Sequence, residues 1–164
     1  MLFLSKSEKE TQKMAGNLAT KVIKLQKPVI MALEGELGAG KTTFAKGFAK
    51  ALGVRTRIKS PTFVLMKKYS ISSSGYSSRS QDRRSAIASG LAADRYLYHL
   101  DCYRVGDHNN LSTLDLGSIF SMPGNIVLIE WPERVREILP KKLIRVRIDH
   151  ISLNKRKIQI TGVS

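Results

Sequence analysis

The sequence predicts a three-layer α/β domain in which helices flank a central, mixed and mostly parallel sheet. The apolar run Val29–Leu33 is short and continuous, which is typical of a strand buried on both faces. A glycine-rich turn at 35–40 follows it, and apolar spacing then predicts a helix over 44–52 that ends at Gly53. Later apolar segments read mainly as strands, and this succession of elements favours a three-layer α/β fold. The 164 residues fit one domain, 1–164.

The other elements are predicted from capping signals and apolar periodicity. Ser7 and Glu10 have the spacing of a capping box, and apolar residues then recur every three or four positions, which predicts a helix from about 8 to 25. Pro28 ends that helix. Further segments read as strands or weak helices. The strands are 63–69, 96–101, 125–131, 143–149 and 157–161, and the weak helices are 110–116 and 132–139.

Residues 70–94 differ in composition from the rest of the chain. They are rich in Ser, Gly, Ala and Arg and show little strand periodicity, although 86–93 has the composition of a short helix. A segment of this length without regular structure inside a compact domain is typical of a flexible or functional insertion. We expect a flexible insertion within the single domain, which is either a surface loop between two strands or a binding element.

Composition and charge exclude several classes of protein. With one cysteine, Cys102, the chain has no internal disulfide and no Cys-based zinc site, and the histidines at 99, 108 and 150 show no metal-ligand spacing. Charge interrupts the N-terminus at Lys6, and the apolar runs are too short to span a bilayer. We therefore expect a soluble, cytoplasmic protein that does not bind membranes. The net charge of +15 indicates either proximity to a polyanion such as RNA or a solvated basic surface.

The most specific motif is the P-loop segment, residues 35–42, which reads Gly-Glu-Leu-Gly-Ala-Gly-Lys-Thr. It matches G-x-x-x-x-G-K-[ST] at every fixed position and lies directly between the predicted buried strand and the predicted helix. Glycines allow positive φ values, so that successive N–H groups surround a phosphate, and the following helix directs its positive end at the same anion. Lys41 is expected to reach the β- and γ-phosphates, and the Thr42 hydroxyl is expected to ligate Mg²⁺. The motif predicts a nucleoside triphosphate site in a P-loop NTPase fold.

Two carboxylates end predicted strands. Glu130 follows the apolar run 126–129, and Asp101 ends the predicted strand 96–101. Because the carboxyl ends of parallel strands meet at one edge of a sheet, both side chains are expected beside the P-loop, where they would hold the metal or polarise water. The alternative is that each carboxylate only terminates its strand in a solvated position.

Three functions remain open from these residues, and the first is a P-loop protein that binds and hydrolyses a nucleoside triphosphate. The Asn-Lys-x-Asp motif by which GTPases read guanine lacks its carboxylate here, because Asn154-Lys155 continues with basic residues, so ATP is favoured. A small nucleotide or metabolite kinase also fits, since the insertion and its flank carry arginines that imitate a lid. These are Arg79, Arg83, Arg84 and Arg95. The third function is a nucleic-acid-binding module that needs no ATP.

Three further motifs follow the P-loop along the chain. They are Ser60-Pro61-Thr62-Phe63, His99-Leu100-Asp101-Cys102-Tyr103-Arg104 and Ile129-Glu130-Trp131-Pro132-Glu133. Together with the P-loop, their order and spacing resemble the TsaE (YjeE) family, small P-loop ATPases needed for bacterial tRNA threonylcarbamoyladenosine synthesis. The resemblance runs from the N-terminal helix to about residue 150. The insertion is a departure, because family members have a much shorter connection there.

The resemblance implies a role for each matching residue. The residues that would bind the nucleotide phosphates are Gly38, Ala39, Gly40, Lys41, Thr42 and Thr43. Thr42 and Glu130 would hold Mg²⁺, and Asp101 would assist the metal or the attacking water, so that Lys41, Asp101 and Glu130 form the catalytic set. Ser60 and Thr62 would lie in a segment similar to a switch I loop that senses the γ-phosphate. Trp131 would report on the nucleotide state or pack against a partner, and Thr11 would approach the base.

The resemblance also implies ATP and Mg²⁺ as cofactors and an accessory function in tRNA modification. The protein would be an ATPase that is weak alone and stimulated by the TsaB–TsaD complex, on which it would act during modification of the adenosine next to the anticodon. Contact with tRNA would be indirect or weak. Basic residues are concentrated in 134–157 and 67–84, and these are candidate surfaces near a tRNA-bearing complex.

Overall fold

The sheet has seven strands in the part of the chain that the computed structural model describes, residues 1–25, 27–56, 58, 65–71, 95–105, 111 and 114–163. The strands are β1 (Leu2–Ser5), β2 (Val29–Glu34), β3 (Met66–Ser70), β4 (Tyr96–Asp101), β5 (Ile126–Glu130), β6 (Ile144–Ser152) and β7 (Lys155–Thr161). The helices are α1 (Glu8–Val22), α2 (Lys41–Ala51), α3 (Leu116–Ser121) and a 3-10 helix at Pro132–Ile138. The spatial order of the strands is β1-β7-β6-β2-β5-β4-β3.

The centre of the sheet is parallel and its margins are antiparallel. β2 pairs in parallel with both β5 and β6, and β4 pairs in parallel with β5. β7 is antiparallel to β6 and to β1, and β3 is antiparallel to β4. The carboxyl ends of β6, β2, β5 and β4 therefore lie along one edge of the sheet, the edge from which the P-loop leaves β2.

Alternate residues of the central strands belong to two different cores, one on each face of the sheet. On β5, Ile126 and Leu128 pack with Phe44 and Phe48 of α2 and with apolar residues of α1. Val127 and Ile129 belong to the core on the opposite face, which α3 and the 3-10 helix cover. Helices thus lie on both faces, which confirms the predicted three-layer α/β fold class.

Helix α1 begins with the predicted capping box. The Ser7 hydroxyl accepts the Glu10 N–H at 3.1 Å, and the Glu10 carboxylate accepts the Lys6 N–H at 2.7 Å. The helix ends at Val22, three residues before the predicted end, and Leu25 donates its N–H to the Val22 carbonyl in the turn that follows.

Some predicted boundaries differ from the structure. Strand β1 was not predicted, because its four residues are mostly exposed and show no alternation, and its pairing with β7 joins opposite ends of the chain. Of the weak helix at 110–116, residues 110, 112 and 113 lie outside the described residues, and α3 begins at its last position. The predicted strand at 63–69 is β3, which begins at Met66, because Leu65 has a positive φ of 65° and residues 63 and 64 lie outside the described part.

The two ends of the predicted insertion are neighbours in the sheet. Ser70 belongs to β3 and pairs with Tyr96, and Ile71 donates its N–H to the Arg95 carbonyl at 3.0 Å. Residues 72–94 lie outside the described residues. The Arg95 guanidinium donates to the carbonyls of Ile23, Leu25 and Gly124. Arg95 therefore fastens the start of β4 to the end of α1, a role that differs from the lid arginine of the kinase alternative. Within the described ranges, no helix combines the length and apolar character needed to cross a bilayer.

Candidate functional site

The P-loop connects the buried strand β2 to helix α2. Gly40 is the N-cap of α2 with φ 108°, in the left-handed region that side chains rarely adopt, and no side chain caps the helix. At Gly35, a Cβ atom would lie 2.4 Å from the Ile148 carbonyl oxygen of β6, so a larger residue would displace the neighbouring strand. These two glycines let the chain turn tightly and leave the α2 N-terminus open to an anion.

Lys41 is buried and directed back into the P-loop. Its Nζ donates to the carbonyl of Gly35 at 2.6 Å and of Glu36 at 3.1 Å. It also lies 3.8 Å from the centre of the Trp131 ring. Burial lowers the pKa of Lys41, and the carboxylates of Glu130, Glu133, Asp101 and Glu36 oppose that shift. The ammonium group thus sits in a desolvated position surrounded by acidic side chains.

Trp131 covers the lysine from the side of β5. Its backbone lies in the left-handed region, with φ 58°, directly after the last residue of the strand. The ring packs against Tyr103 with centroids 4.9 Å apart. A non-glycine residue in this conformation is uncommon, and here it turns the indole back over the edge of the sheet. The half-buried Trp131 and exposed Tyr103 rings thus form an aromatic cover beside Lys41.

Asp101 and Glu130 end neighbouring parallel strands at the same level of the sheet. They are register partners, and each is buried, with 4% and 3% of its surface exposed. Asp101 Oδ1 accepts the Tyr103 N–H at 3.1 Å. Glu130 Oε1 lies 2.8 Å from His99 Nε2. Asp101 and Glu130 thus lie side by side at the edge of the sheet, and both carboxylates act electrostatically on Lys41.

These residues fit the demands of a magnesium ion that binds with a nucleotide. Mg²⁺ prefers oxygen ligands and is commonly held by one or two carboxylates together with phosphate oxygens and water. Asp101 and Glu130 are buried carboxylates, and Thr42 is half-buried in the first turn of α2. No cluster of three or more acidic, His or Cys side chains able to hold a metal occurs in the described residues, so a metal here would rely on other ligands as well.

Other predicted site residues lie apart from this cluster or outside the described residues. Thr11 is buried in α1, and its hydroxyl is 2.8 Å from the Ser5 hydroxyl of β1. Ser60 and Thr62 lie outside the described residues, as do three of the four arginines of the kinase alternative. Cys102 is fully buried, and burial, with smaller effects of Asp101 and Glu133, raises its pKa to about 12. Its thiol is therefore protonated at neutral pH.

Two contacts of the site were not predicted. Arg156, at the start of β7, donates from Nε to the Ala39 carbonyl in the P-loop at 2.9 Å, and from Nη1 to the Ser152 carbonyl at 3.0 Å. His99 contacts Glu130 in the sheet interior. The sequence contains one signal for each contact. Arg156 lies in a basic run at the start of β7, directly after the turn from β6, and His99 lies on the same strand face as Asp101.

Arg145 and Arg147 of β6 lie beside the P-loop on the sheet face opposite α2. Arg145 and Arg147 are exposed, as the alternation in 144–148 predicts, and they pair with Glu34 at 2.7 Å and Asp149 at 3.1 Å. They line a groove of about 790 Å³ that also contains Glu36. Since both arginines are paired with carboxylates of the same chain, they form a solvated, charge-balanced face.

Known proteins of one family resemble this chain over most of its length. The family model described as "Threonylcarbamoyl adenosine biosynthesis protein TsaE" matches residues 5–158. The "tRNA threonylcarbamoyladenosine biosynthesis protein TsaE" of Bacillus subtilis is 34% identical over 134 residues, which are 82% of this chain and 70% of that protein. The protein of the same name from Rickettsia felis is 34% identical over 157 residues, which are 95% of this chain and 76% of that protein.

A solved structure resembles the whole chain. The crystal structure of Bacillus subtilis YdiB has a TM-score of 0.67 to this structure and 29% sequence identity, and the match covers 100% of this chain and 86% of that chain. It bears out the predicted fold class, a three-layer domain of the P-loop NTPase type. With the family match over nearly its full length, the chain belongs to the TsaE family of threonylcarbamoyl adenosine biosynthesis proteins.

Proposed function

We propose that this protein binds ATP with Mg²⁺ at the P-loop, hydrolyses it, and thereby serves tRNA threonylcarbamoyladenosine synthesis. The observation that carries the proposal is the P-loop lysine, Lys41, lying within electrostatic range of the register partners Asp101 and Glu130 at the carboxyl edge of the parallel strands. A buried ammonium group beside two buried carboxylates and an open helix N-terminus suits a triphosphate and its metal.

Each residue of the site has a distinct role in this proposal. Lys41 exchanges the carbonyls of Gly35 and Glu36 for the β- and γ-phosphate oxygens, to which it adds a point charge. Thr42 and Glu130 would hold Mg²⁺, which when bound neutralises charge on the phosphate oxygens. Asp101 orients the attacking water or a water of the metal, because its Oδ1 is already fixed by the Tyr103 N–H.

The same proposal assigns the partners. The relatives from Bacillus subtilis and Rickettsia felis are named as tRNA threonylcarbamoyladenosine biosynthesis proteins. We infer that this chain acts on a TsaB–TsaD complex as an accessory ATPase, with slow hydrolysis alone and faster hydrolysis when the complex is present. Hydrolysis would release a switch segment that the γ-phosphate orders. The net charge of +15 favours a position near tRNA without requiring direct contact.

The experiment is an ATPase assay of the full chain with and without TsaB–TsaD and tRNA. We expect Lys41→Ala and Glu130→Ala to lower the rate on the order of 100-fold or more, because each removes a group that stabilises charge in the transition state. Glu130→Ala should retain ATP binding. The matched control is Lys46→Ala, an exposed lysine on the same helix, which should hydrolyse ATP at the wild-type rate.

Three results would argue against the proposal. Rapid turnover without the partner complex would contradict the accessory role. Phosphate transfer to a nucleoside monophosphate from a panel would favour the kinase alternative. Salt-sensitive RNA binding that is independent of ATP, together with no hydrolysis under any condition, would favour a nucleic-acid-binding module.

A further inference from the structure

His99 and Glu130 form a buried pair on the sheet face that α2 covers. His99 is fully buried on β4, and Glu130 is buried at the end of β5. Their side chains meet at 2.8 Å between Nε2 and Oε1. An ionised carboxylate only accepts hydrogen bonds, so Nε2 carries the hydrogen of this bond. The Nδ1 atom has no hydrogen-bond partner among the described residues, and the ring thus directs its one polar contact at Glu130.

We propose that His99 is the positioning residue for Glu130, holding Oε1 so that the second oxygen, Oε2, faces the magnesium ion bound with ATP. This inference rests on the proposed function, because it takes Glu130 as a metal ligand. His99 itself touches neither nucleotide nor metal in the proposal and acts only through the carboxylate.

The sheet geometry explains why a histidine at position 99 can do this. Leu97, His99 and Asp101 alternate along β4 toward the α2 face, and Glu130 points to the same face from β5. His99 pairs in register with Leu128, two residues before the pair formed by Asp101 and Glu130. The imidazole therefore reaches Glu130 diagonally from inside the core and contacts one oxygen of the carboxylate, Oε1.

The energetic reason is that a buried carboxylate needs partners. Leaving a buried charged group without a hydrogen bond destabilises the fold, and one bond from His99 offsets part of that cost before a metal is present. The bond also restricts the rotation of the carboxylate, which reduces the freedom that must be lost when the metal binds. Partners of metal-binding side chains act in this way in other sites, where removing one lowers metal affinity roughly 10–100-fold.

Two variants of similar size separate positioning from packing. His99→Gln places an amide N–H near the position of Nε2 and keeps the bond to Glu130. His99→Asn places its amide near the position of Nδ1 and loses that bond. The measurement is Mn²⁺ affinity by electron paramagnetic resonance, with the full chain saturated by an ATP analogue whose β–γ bridge resists hydrolysis. Unfolding by urea is followed in parallel.

We expect His99→Asn to bind Mn²⁺ roughly 10–100-fold more weakly than wild type, and His99→Gln to lie within about threefold of wild type. Affinity for the analogue in EDTA should be unchanged in both. Equal Mn²⁺ affinity in wild type and His99→Asn would overturn the inference while leaving the proposed function intact. A wild-type protein that binds neither analogue nor metal would overturn both.

A second measurement covers the case in which neither variant folds. The chain has three histidines, so ¹⁵N labelling of histidine gives few resonances to assign. The Nε2 resonance of His99 should shift when Mg²⁺ and the analogue are added together, because Glu130 shares its charge with the metal. It should not shift with the analogue in EDTA. A resonance that is insensitive to Mg²⁺ would overturn the inference.

Discussion

At the scale of the residue, the Lys41 side chain is held by three contacts beside the P-loop. Its ammonium group has three hydrogens, and carbonyl oxygens of Gly35 and Glu36 accept hydrogen bonds from it while Trp131 covers it. Phosphate oxygens carry more charge than carbonyls, so a triphosphate competes effectively for the same hydrogens. The cation–π contact of Lys41 with Trp131, worth about 0.5–2 kcal/mol, is too weak to prevent the ammonium group from exchanging carbonyl oxygens for phosphate oxygens.

This arrangement makes Trp131 a reporter of the site. It is the one tryptophan of the chain, so tryptophan emission under selective excitation comes from this position. We expect its fluorescence to change on saturation with Mg²⁺ and the non-hydrolysable analogue, because the ammonium group moves relative to the ring. The change should be lost in Lys41→Ala and retained in Lys46→Ala. An unaltered spectrum at concentrations where calorimetry shows saturation would contradict this prediction.

At the scale of the element, the β6–β7 hairpin supports the P-loop through Arg156. Its guanidinium joins the Ala39 carbonyl to the carbonyls of Ser152, Leu153 and Lys155, so one side chain ties the hairpin to the loop. The hairpin therefore limits how far the P-loop can move when a phosphate enters or leaves.

Arg156 contacts the P-loop through the Ala39 carbonyl, so replacing it should weaken nucleotide binding indirectly. We expect Arg156→Ala to lower affinity for the ATP analogue about fivefold, equivalent to about 1 kcal/mol, because the loop loses a charge-assisted hydrogen bond. Lys157→Ala, an exposed lysine on the same strand, removes the same charge and should bind normally in calorimetry. Equal losses in both variants would show that only the basic charge matters.

Helices α1 and α2 pack closely because glycines lie at their contact. At Gly47, a Cβ atom would lie 2.5 Å from the Gln12 backbone, whereas at Gly16 it would lie 3.4 Å from the Ala51 Cβ. The two positions thus differ in the space available, although both lie between the same two helices.

Alanine should have opposite effects at these two positions. Gly47→Ala should lower the free energy of unfolding by about 1–3 kcal/mol, since the helices must separate. Gly16→Ala should raise it by about 0.5–1 kcal/mol, since alanine restricts the unfolded chain and fits the gap. Urea unfolding measures both, and shifts in the same direction would refute the packing argument.

At the scale of the whole molecule, the pairing of β3 with β4 brings the residues on either side of 72–94 close together. The strands pair up to Ser70 and Tyr96, and Ile71 and Arg95 continue the ladder by one hydrogen bond. Ile71 and Arg95, which flank residues 72–94, are therefore as close as the residues that flank a tight hairpin turn.

A variant in which Asn-Gly replaces residues 72–94 should fold and bind the ATP analogue as wild type does. We expect its free energy of unfolding to rise by roughly 1–2 kcal/mol, because a shorter loop loses less entropy on closure. Urea unfolding and calorimetry check this. A chain that fails to fold, or that folds but no longer binds the analogue, would show that the segment is part of the domain's core or site.

The local parts of the site could be predicted from the sequence because they depend on neighbouring residues. The P-loop, its buried strand and its helix occupy one continuous stretch, and Asp101 and Glu130 each end an apolar run. The switch-like Ser60 and Thr62, and the role of Thr11 toward the base, remain predictions. The distant contacts could not be predicted, since no short-range pattern encodes them.

The fold class, the phosphate-binding loop and the strand-ending carboxylates can be recognised in the sequence, since backbone preferences and apolar periodicity act over a few residues. The contacts of His99 with Glu130, 31 positions apart, and of Arg156 with Ala39, 117 positions apart, arise from tertiary packing. So does the position of Trp131 over Lys41. These contacts depend on strand order and register, which are set when the whole sheet packs between its two layers of helices.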